Sequence, residues 1–307
     1  MSRFVQKNDQ FEINFNSQSK RLLDIKLSKK VVENFLKRIK DEGINVQHLE
    51  YTPYERQVIA SYLDDEIGAN YEFGNMLRNI VNDRETGGFT IGLEGVSKDT
   101  DEYVIFSTAI SHLVGIANFD SMTGKYYARF VVKDTDASDS YLRQAYRLFT
   151  MHTDGTFVNE ATDWLLMMKM VEENAVGGES RLLHLDDWSE LNKFYKSPLG
   201  EHKFQYIAPP SKNVQEIVYR KLFFLKNNKP CICFIDQFAY PETIDEAKFL
   251  KALSQSIESE KNVVELELPV GNLVVLNNEF WMHGRAAFEK NENLNRELLR
   301  QRGHFYE

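Results

Sequence analysis

Cysteine is nearly absent from this chain. Its 307 residues hold two, Cys231 and Cys233, both in the apolar run KPCICFIDQF. A spacing of two along a strand puts both thiols on one face, in a geometry too strained for a mutual disulfide, so free buried thiols are expected and no disulfide framework. Uninterrupted apolar runs of about 18 residues are missing too, which argues against a membrane span. The opening MSRFVQKNDQFEINF has no basic start leading into an apolar core, and the expected location is the cytoplasm. Basic charge is also in deficit: 37 Lys and Arg face 46 Asp and Glu, a net charge of -9. A phosphate backbone or an anionic membrane would be repelled on average, so nucleic acid and membrane are not expected partners. No repeat, low-complexity tract or Gly/Ser/Pro-rich linker interrupts the chain, and one domain over residues 1–307 is expected.

What is present is an ordinary globular composition, 42% hydrophobic and 27% charged. Helical spacing dominates roughly residues 1–120. KKVVENFLKRIKDEG sets Val32, Phe35, Leu36 and Ile39 along one face and stops at Gly43, ERQVIASYLDDEI behaves similarly, and DEYVIFSTAISHLVGIANF predicts a third helix. Residues 121–307 turn to short β-rich runs, among them YYARFVV, WLLMMKMV, SRLLHL, VYRKLFFL, CICFIDQF, VVELELPV, NLVVLNN and LLRQRGHFY. One helix near 243–260 is inserted among them, with Thr243 and Glu246 as a capping box. The pattern predicts an α+β fold, an antiparallel barrel or sandwich braced by N-terminal and inserted helices. The methionines of WLLMMKM read as core.

The stretch MHTDGTF places His152 and Asp154 two apart, ahead of Gly155. Along a strand such residues share a face with Cα atoms roughly 6.6 Å apart, so an imidazole and a carboxylate can converge on one ion. Two histidines and one carboxylate suit Fe(II) while leaving positions open for substrate and O2. Seven histidines and an acidic fraction of 46/307 give about one chance H-x-[DE] match, and the sequence has three. His48/Glu50 lies in the helical third beside a proline turn and reads as two solvated polar groups. His184/Asp186 follows a strand-like run, but LDDWSELNKF reads as a helix start in which Asp186 or Asp187 serves as an acidic cap. Only His152/Asp154 lacks such a structural role. Downstream, LPVGNLVVLNNEFWMHGRAAF delivers His283 as candidate third ligand, and NRELLRQRGHF sets Arg296, Arg300 and Arg302 at one parity with Leu298 among them. Three guanidiniums on one barrel face make a poor core and a good carboxylate receptor.

These residues resemble the Fe(II)- and 2-oxoglutarate-dependent dioxygenases of the double-stranded β-helix (jelly-roll) fold: H-x-D, a distal histidine, then an arginine. In the clavaminate-synthase-like branch a Gly-Gly-x-Thr/Ser segment follows the aspartate by about 25 residues, and VGGESRLL stands there with Ser180 in the matching place. Within that branch YYARFVVKDTDASDSYLRQ, HTDGTFVNEATDWLLMMKM, LLHLDDW, APPSKNV, FIDQFAY, WMHGRAAF and RELLRQRG are similar to the carbon-starvation-induced glutarate hydroxylases, from about residue 118 onward.

The resemblance implies iron on His152, Asp154 and His283. It implies 2-oxoglutarate chelated through its 2-oxo acid end, with Ser180 offering a hydroxyl and Arg300, or else Arg296, pairing with the far carboxylate. Oxidative decarboxylation of 2-oxoglutarate with O2 to succinate and CO2 would be coupled to hydroxylation of glutarate to (S)-2-hydroxyglutarate, within lysine degradation, by a homotetramer. A second dianion needs further cations, for which Arg302, Arg129 and Arg143 are candidates and Arg147 a lesser one. Asn118 is a further candidate at the cosubstrate. Three alternatives stand beside this: a related dioxygenase of another small acid, a non-catalytic dicarboxylate-binding barrel, and a zinc hydrolase. The hydrolase has no use for the arginines, and the binding barrel no need of the complete ligand set.

Overall fold

The computed structural model describes residues 3–68, 72–132 and 146–306. The chain opens on strands: β1 (Gln6–Lys7), β2 (Phe11–Phe15) and β3 (Leu23–Leu27). The expectation of a helix-rich region over roughly residues 1–120 does not include these strands. FEINF and LDIKL alternate with period two, and the alternation is the burial: Phe11, Ile13, Leu23, Ile25 and Leu27 all point inward. Helices follow as α1 (Lys29–Asp41), α2 (Val46–Tyr51), α3 (Pro53–Ile67) and α4 (Phe73–Asn82). Ser28 caps α1 by accepting from the Val31 amide, and Val31, Val32, Phe35 and Ile39 form its buried face. β4 (Gly88–Gly92) precedes α5 (Thr100–Val114), which stops earlier than the apolar run suggests because Gly115 begins β5 (Gly115–Ala117).

The strand-rich part runs β6 (Ala128–Val131), β7 (Phe149–His152), β8 (Trp164–Glu173), β9 (Ser180–His184), α6 (Leu191–Tyr195), β10 (Lys203–Ile207), β11 (Ile217–Lys221), β12 (Phe223–Lys226), β13 (Lys229–Ile232) and β14 (Ala239–Tyr240). It closes with α7 (Ile244–Glu258), β15 (Val264–Leu266), β16 (Asn272–Asn277), β17 (Trp281–Arg285) and β18 (Asn295–Phe305). Thr243 caps α7 by accepting from the Glu246 amide, whereas the Glu246 carboxylate takes the amide of Glu242 rather than closing the box on Thr243. β13 ends at Ile232, so Cys233 lies beyond the strand, and both thiols are free.

Nine strands form one sheet, in the order β1-β2-β3-β4-β16-β8-β18-β5 with β6 also on β18. Every pairing in it is antiparallel except β3 with β4. A second sheet has the order β15-β9-β17-β7. β8 shows why WLLMMKM is apolar at both parities. Leu166, Met168 and Met170 join a core with Phe35, Leu63 and Phe106 of the helices. Leu165 and Met167 join another with Met151, Leu182 and Met282 of the second sheet. The large sheet is thus the middle layer, with helices on one side and the smaller sheet on the other. Among the described residues no helix is long and apolar enough to cross a membrane.

Two buried histidines away from the cavity described below set an acid limit. His112 on α5 is 5% exposed and His184 on β9 is 1% exposed. Burial pushes their pKa values down to about 4 and about 3. Both are neutral in the fold and titrate near 6.5 once unfolded, so their stabilisation is present above pH 6.5 and is lost as pH falls from there toward 4 and 3. We expect the melting temperature to fall steadily below pH 6.5. His112→Gln should flatten that slope in a series of thermal melts, and an unchanged slope would assign the acid sensitivity elsewhere.

Candidate active site

β7 and β17 are neighbours, and their register sets His152 opposite His283. The two rings lie 4.1 Å apart between centroids. Asp154 is not on the strand, as the spacing argument supposed. β7 ends at His152 and the chain bends, with Gly155 at φ +74°. A Cβ at Gly155 would stand 2.1 Å from the Thr162 hydroxyl, so only glycine fits. Asn278 holds the bend by accepting from the Asp154 amide at 2.8 Å and donating to the carbonyls of Asp154 and Thr162. One donor atom from each of His152, Asp154 and His283 lies within 4.8 Å of the others. Among the described residues this is the one cluster of such side chains that could hold a metal ion.

The electrostatics fit a divalent cation. His152 Nδ1 lies 2.7 Å from the Thr150 carbonyl, an acceptor only, so Nδ1 carries the proton and Nε2 keeps its lone pair. Burial lowers the pKa of both imidazoles, that of His283 to about 3, so both are neutral and available as ligands. Burial alone would raise the Asp154 pKa, but the Arg300 guanidinium beside it, with Arg302 further off, outweighs burial and holds the carboxyl well below the usual range. Arg300 donates to Asp154 Oδ2 at 3.0 Å and to Asp120 Oδ2 at 2.6 Å. Two neutral imidazoles, one ionised carboxylate and an open cavity match the donor set that Fe(II) takes.

That cavity is walled by both sheets. Phe149, Met167, Ser180, Arg285, Arg296, Leu298 and Arg300 line it together with the three candidate ligands. β18 thus delivers Arg296, Leu298 and Arg300 to one side as their parity predicts. Ser180 heads β9 and is paired in register with Arg285. Arg285 and Arg296 both rest on the Phe288 ring, at 5.1 and 5.4 Å from its centroid. Phe288 can lie there because Gly178, at φ +78°, has no side chain: a Cβ would stand 1.8 Å from the ring. Burial lowers both guanidiniums, to about 9 for Arg285, helped by Arg296, and about 10 for Arg296. Two desolvated cations side by side form a receptor for an anion.

Other candidates lie elsewhere. Arg129 pairs with Glu297 at 2.9 Å and is registered with Leu299, on the face of β18 turned away from the cavity. Parity alone excludes it from the cavity wall. Arg302 is buried but sits below the Asp154 bend, its Nη1 3.2 Å from where a Gly155 Cβ would be, and is not among the cavity residues. Arg143 lies outside the described residues. Arg147 is exposed, and its carbonyl accepts from Arg285. Asn118 spends its amide on the Ala161 carbonyl and on His304.

The rival pairs are structural. His48 is exposed and Glu50 holds Lys125. His184 packs between Phe280 and Trp281, and its own Nδ1 accepts from the Asp186 amide. Asp186 and Asp187 pair with Arg84 and Arg21 rather than capping α6. Sequence reasoning gave no role to Arg285, although its parity with His283 was a usable signal. It also missed Asp120, which nothing in its local sequence marks.

Comparison with known proteins gives the family and the fold. The chain is 43% identical over 291 residues to a glutarate 2-hydroxylase of Citrobacter koseri, covering 94% of this chain and 88% of that one. It is 42% identical over 298 residues to a glutarate 2-hydroxylase of Klebsiella pneumoniae, covering 96% and 90%. Among solved structures it is similar to the asparagine oxygenase AsnO, with TM-score 0.73, 14% identity and coverage of 92% and 93%. It is also similar to the non-heme iron oxygenase OrfP bound to Fe, succinate and hydroxyarginine, with TM-score 0.69, 16% identity and coverage of 92% and 93%. At such identities the likeness establishes a shared fold. The CsiD family model matches residues 11–305, and with relatives above 40% identity over nearly the whole length, the chain belongs to the CsiD family.

Proposed function

We propose that this protein is an Fe(II)- and 2-oxoglutarate-dependent dioxygenase on a double-stranded β-helix, which hydroxylates glutarate to (S)-2-hydroxyglutarate. The observation that carries the reading is the convergence of neutral His152, neutral His283 and ionised Asp154 in a cavity that also holds Arg285, Arg296 and Arg300. The relatives' name supplies the substrate. Iron and 2-oxoglutarate, when bound, supply O2 activation and the two reducing electrons, with 2-oxoglutarate leaving as succinate and CO2.

The chain's own residues do the rest. The Thr150 carbonyl fixes the His152 tautomer so that Nε2 faces the ligand position. Arg300 keeps Asp154 ionised and orients it, and Asp120 anchors Arg300 from the other side. Arg300 is therefore committed, and the far carboxylate of 2-oxoglutarate falls to Arg296 with the Ser180 hydroxyl, while Arg285 adds positive charge. Arg296 can meet a carboxylate with two parallel hydrogen bonds. The same reading places the enzyme in the cytoplasm, as a homotetramer, in lysine and glutarate breakdown.

A panel of acids tests the substrate. With Fe(II), ascorbate and 2-oxoglutarate, glutarate should yield succinate and 2-hydroxyglutarate in equal amounts, while taurine, γ-butyrobetaine and pentanoate yield no hydroxylated product. Coupled turnover with taurine or the betaine, and none with glutarate, would overturn the substrate while leaving the fold intact.

A further inference from the structure

The cavity has polar groups that the reading above leaves unused. Thr156 Oγ1 and Gln237 Nε2 both belong to cavity-lining residues, both are sealed from solvent, and neither has a hydrogen-bond partner among the described residues. A buried amide or hydroxyl without a partner is costly, so two such groups on residues that line one cavity point to a ligand there.

The backbone explains how two residues 81 positions apart come to share that wall. The Thr153 amide donates to the Phe234 carbonyl at 2.8 Å, and the Phe234 amide donates to Thr153 Oγ1 at 3.0 Å. This exchange zips the bend after β7 to the loop after β13. Beyond the zip, Phe157 and Phe238 meet edge to face at 5.2 Å, fixing their neighbours Thr156 and Gln237. Lys212 completes the corner, its Nζ 5.4 Å from the centre of the Phe157 ring and 5.7 Å from that of Phe238. Lys212 lines the same cavity. This corner differs in place from the Ser180 and Arg285 pair. Arg285 is level with Phe149 at the start of β7, whereas Thr156 and Gln237 stand on loops that begin where β7 and β13 end.

We infer that Thr156 and Gln237, with Lys212 beside them, bind the carboxylate of the substrate diacid that lies away from the iron, and so select a diacid over a monoacid. The inference rests on the proposed hydroxylation of a small diacid. A carboxylate offers about four acceptor sites, enough for one hydroxyl, one amide NH2 and an ammonium together. Arg296 and Ser180 hold the cosubstrate's far end, so the two dianions are read by different groups. A monoacid leaves the Thr156 hydroxyl and Gln237 amide unpaired and gains nothing from them.

Calorimetry under anaerobic conditions, titrating glutarate into protein preloaded with Fe(II) and 2-oxoglutarate, tests this without turnover. Thr156→Val and Gln237→Leu should each weaken glutarate binding about tenfold to a hundredfold, the loss of one hydrogen bond to a charged group. Gln237→Glu, which adds a like charge at nearly equal size, should weaken it further. Thr156→Ser should recover most of the affinity, which separates the hydroxyl from packing. The affinity for 2-oxoglutarate, read from the visible band of its iron chelate, should change less than threefold. Loss of 2-oxoglutarate affinity with glutarate binding unaltered would overturn the inference and assign the corner to the cosubstrate. Unchanged binding of both would overturn it as well. Thr156→Val and Gln237→Glu keep the side chains' size, so they decide the case if Gln237→Leu melts early. If wild-type protein prefers another straight diacid to glutarate, the substrate assignment fails while the same variants, titrated with that diacid, still decide the role of the corner.

Discussion

His283→Ala should yield a folded protein that neither retains iron nor turns over, whereas His184→Ala should retain both. Each histidine is buried on a strand of the same sheet and each is neutral, so packing losses are comparable and only the position relative to Asp154 differs. Removing a group that merely supports a metal ligand costs about 10–100-fold in affinity, and removing a ligand costs more. Metal content after anaerobic dialysis, with thermal melts alongside, makes the comparison. Iron lost from His184→Ala and kept by His283→Ala would move the metal to the other pair.

Arg300→Leu should cost about 3–5 kcal/mol of folding stability in the metal-free protein, because it strands two buried carboxylates, Asp154 and Asp120, that share its guanidinium. The sign with pH is specific. In the wild type Arg300 holds the pKa of both carboxyls down, although burial alone would raise it, so their stabilisation is present above the unfolded carboxylate range and lost as pH falls through the folded values. Without Arg300, burial raises the folded pKa values instead, and stability falls as pH rises. The deficit should therefore be largest near neutrality and shrink toward pH 4, and Asp120→Asn in the same chain should restore part of it. Urea unfolding across that range measures it. A deficit independent of pH and unmoved by Asp120→Asn would mean lost packing, not stranded charge. Arg296→Lys, by contrast, should leave stability nearer to wild type and raise the 2-oxoglutarate requirement about 10–100-fold, since an ammonium cannot reproduce the guanidinium fork.

The elements that sequence pattern located are those whose signal is local. α1 shows its buried stripe, Thr243 its cap, and β18 its row of Arg296, Leu298 and Arg300, because parity and helical spacing carry through to the fold unchanged. The β2 and β3 hairpin went unread although its alternation is clear, since its pairing with β4 and thence β16 depends on residues far along the chain. The candidate ligands were legible as H-x-D and a later histidine, yet the reason given was incomplete. Asp154 reaches the site through a bend at Gly155, not through strand parity. The placement and pairing of the arginines was not legible at all. It depends on Asp120, which meets Arg300 across 180 residues of chain, and on which face of β6 Arg129 occupies. Thr156 and Gln237 were equally silent, being ordinary residues until the Thr153 and Phe234 exchange brings their loops together.

The most direct test of the central claim, an iron centre on His152, Asp154 and His283 that chelates 2-oxoglutarate, is an anaerobic titration followed in the visible region. Fe(II) followed by 2-oxoglutarate should raise the weak charge-transfer band of the chelate, saturating at one iron and one 2-oxoglutarate per chain in the wild type and failing to appear in His283→Ala. Iron that binds without any band on adding 2-oxoglutarate, or a band of full intensity in His283→Ala, would contradict it.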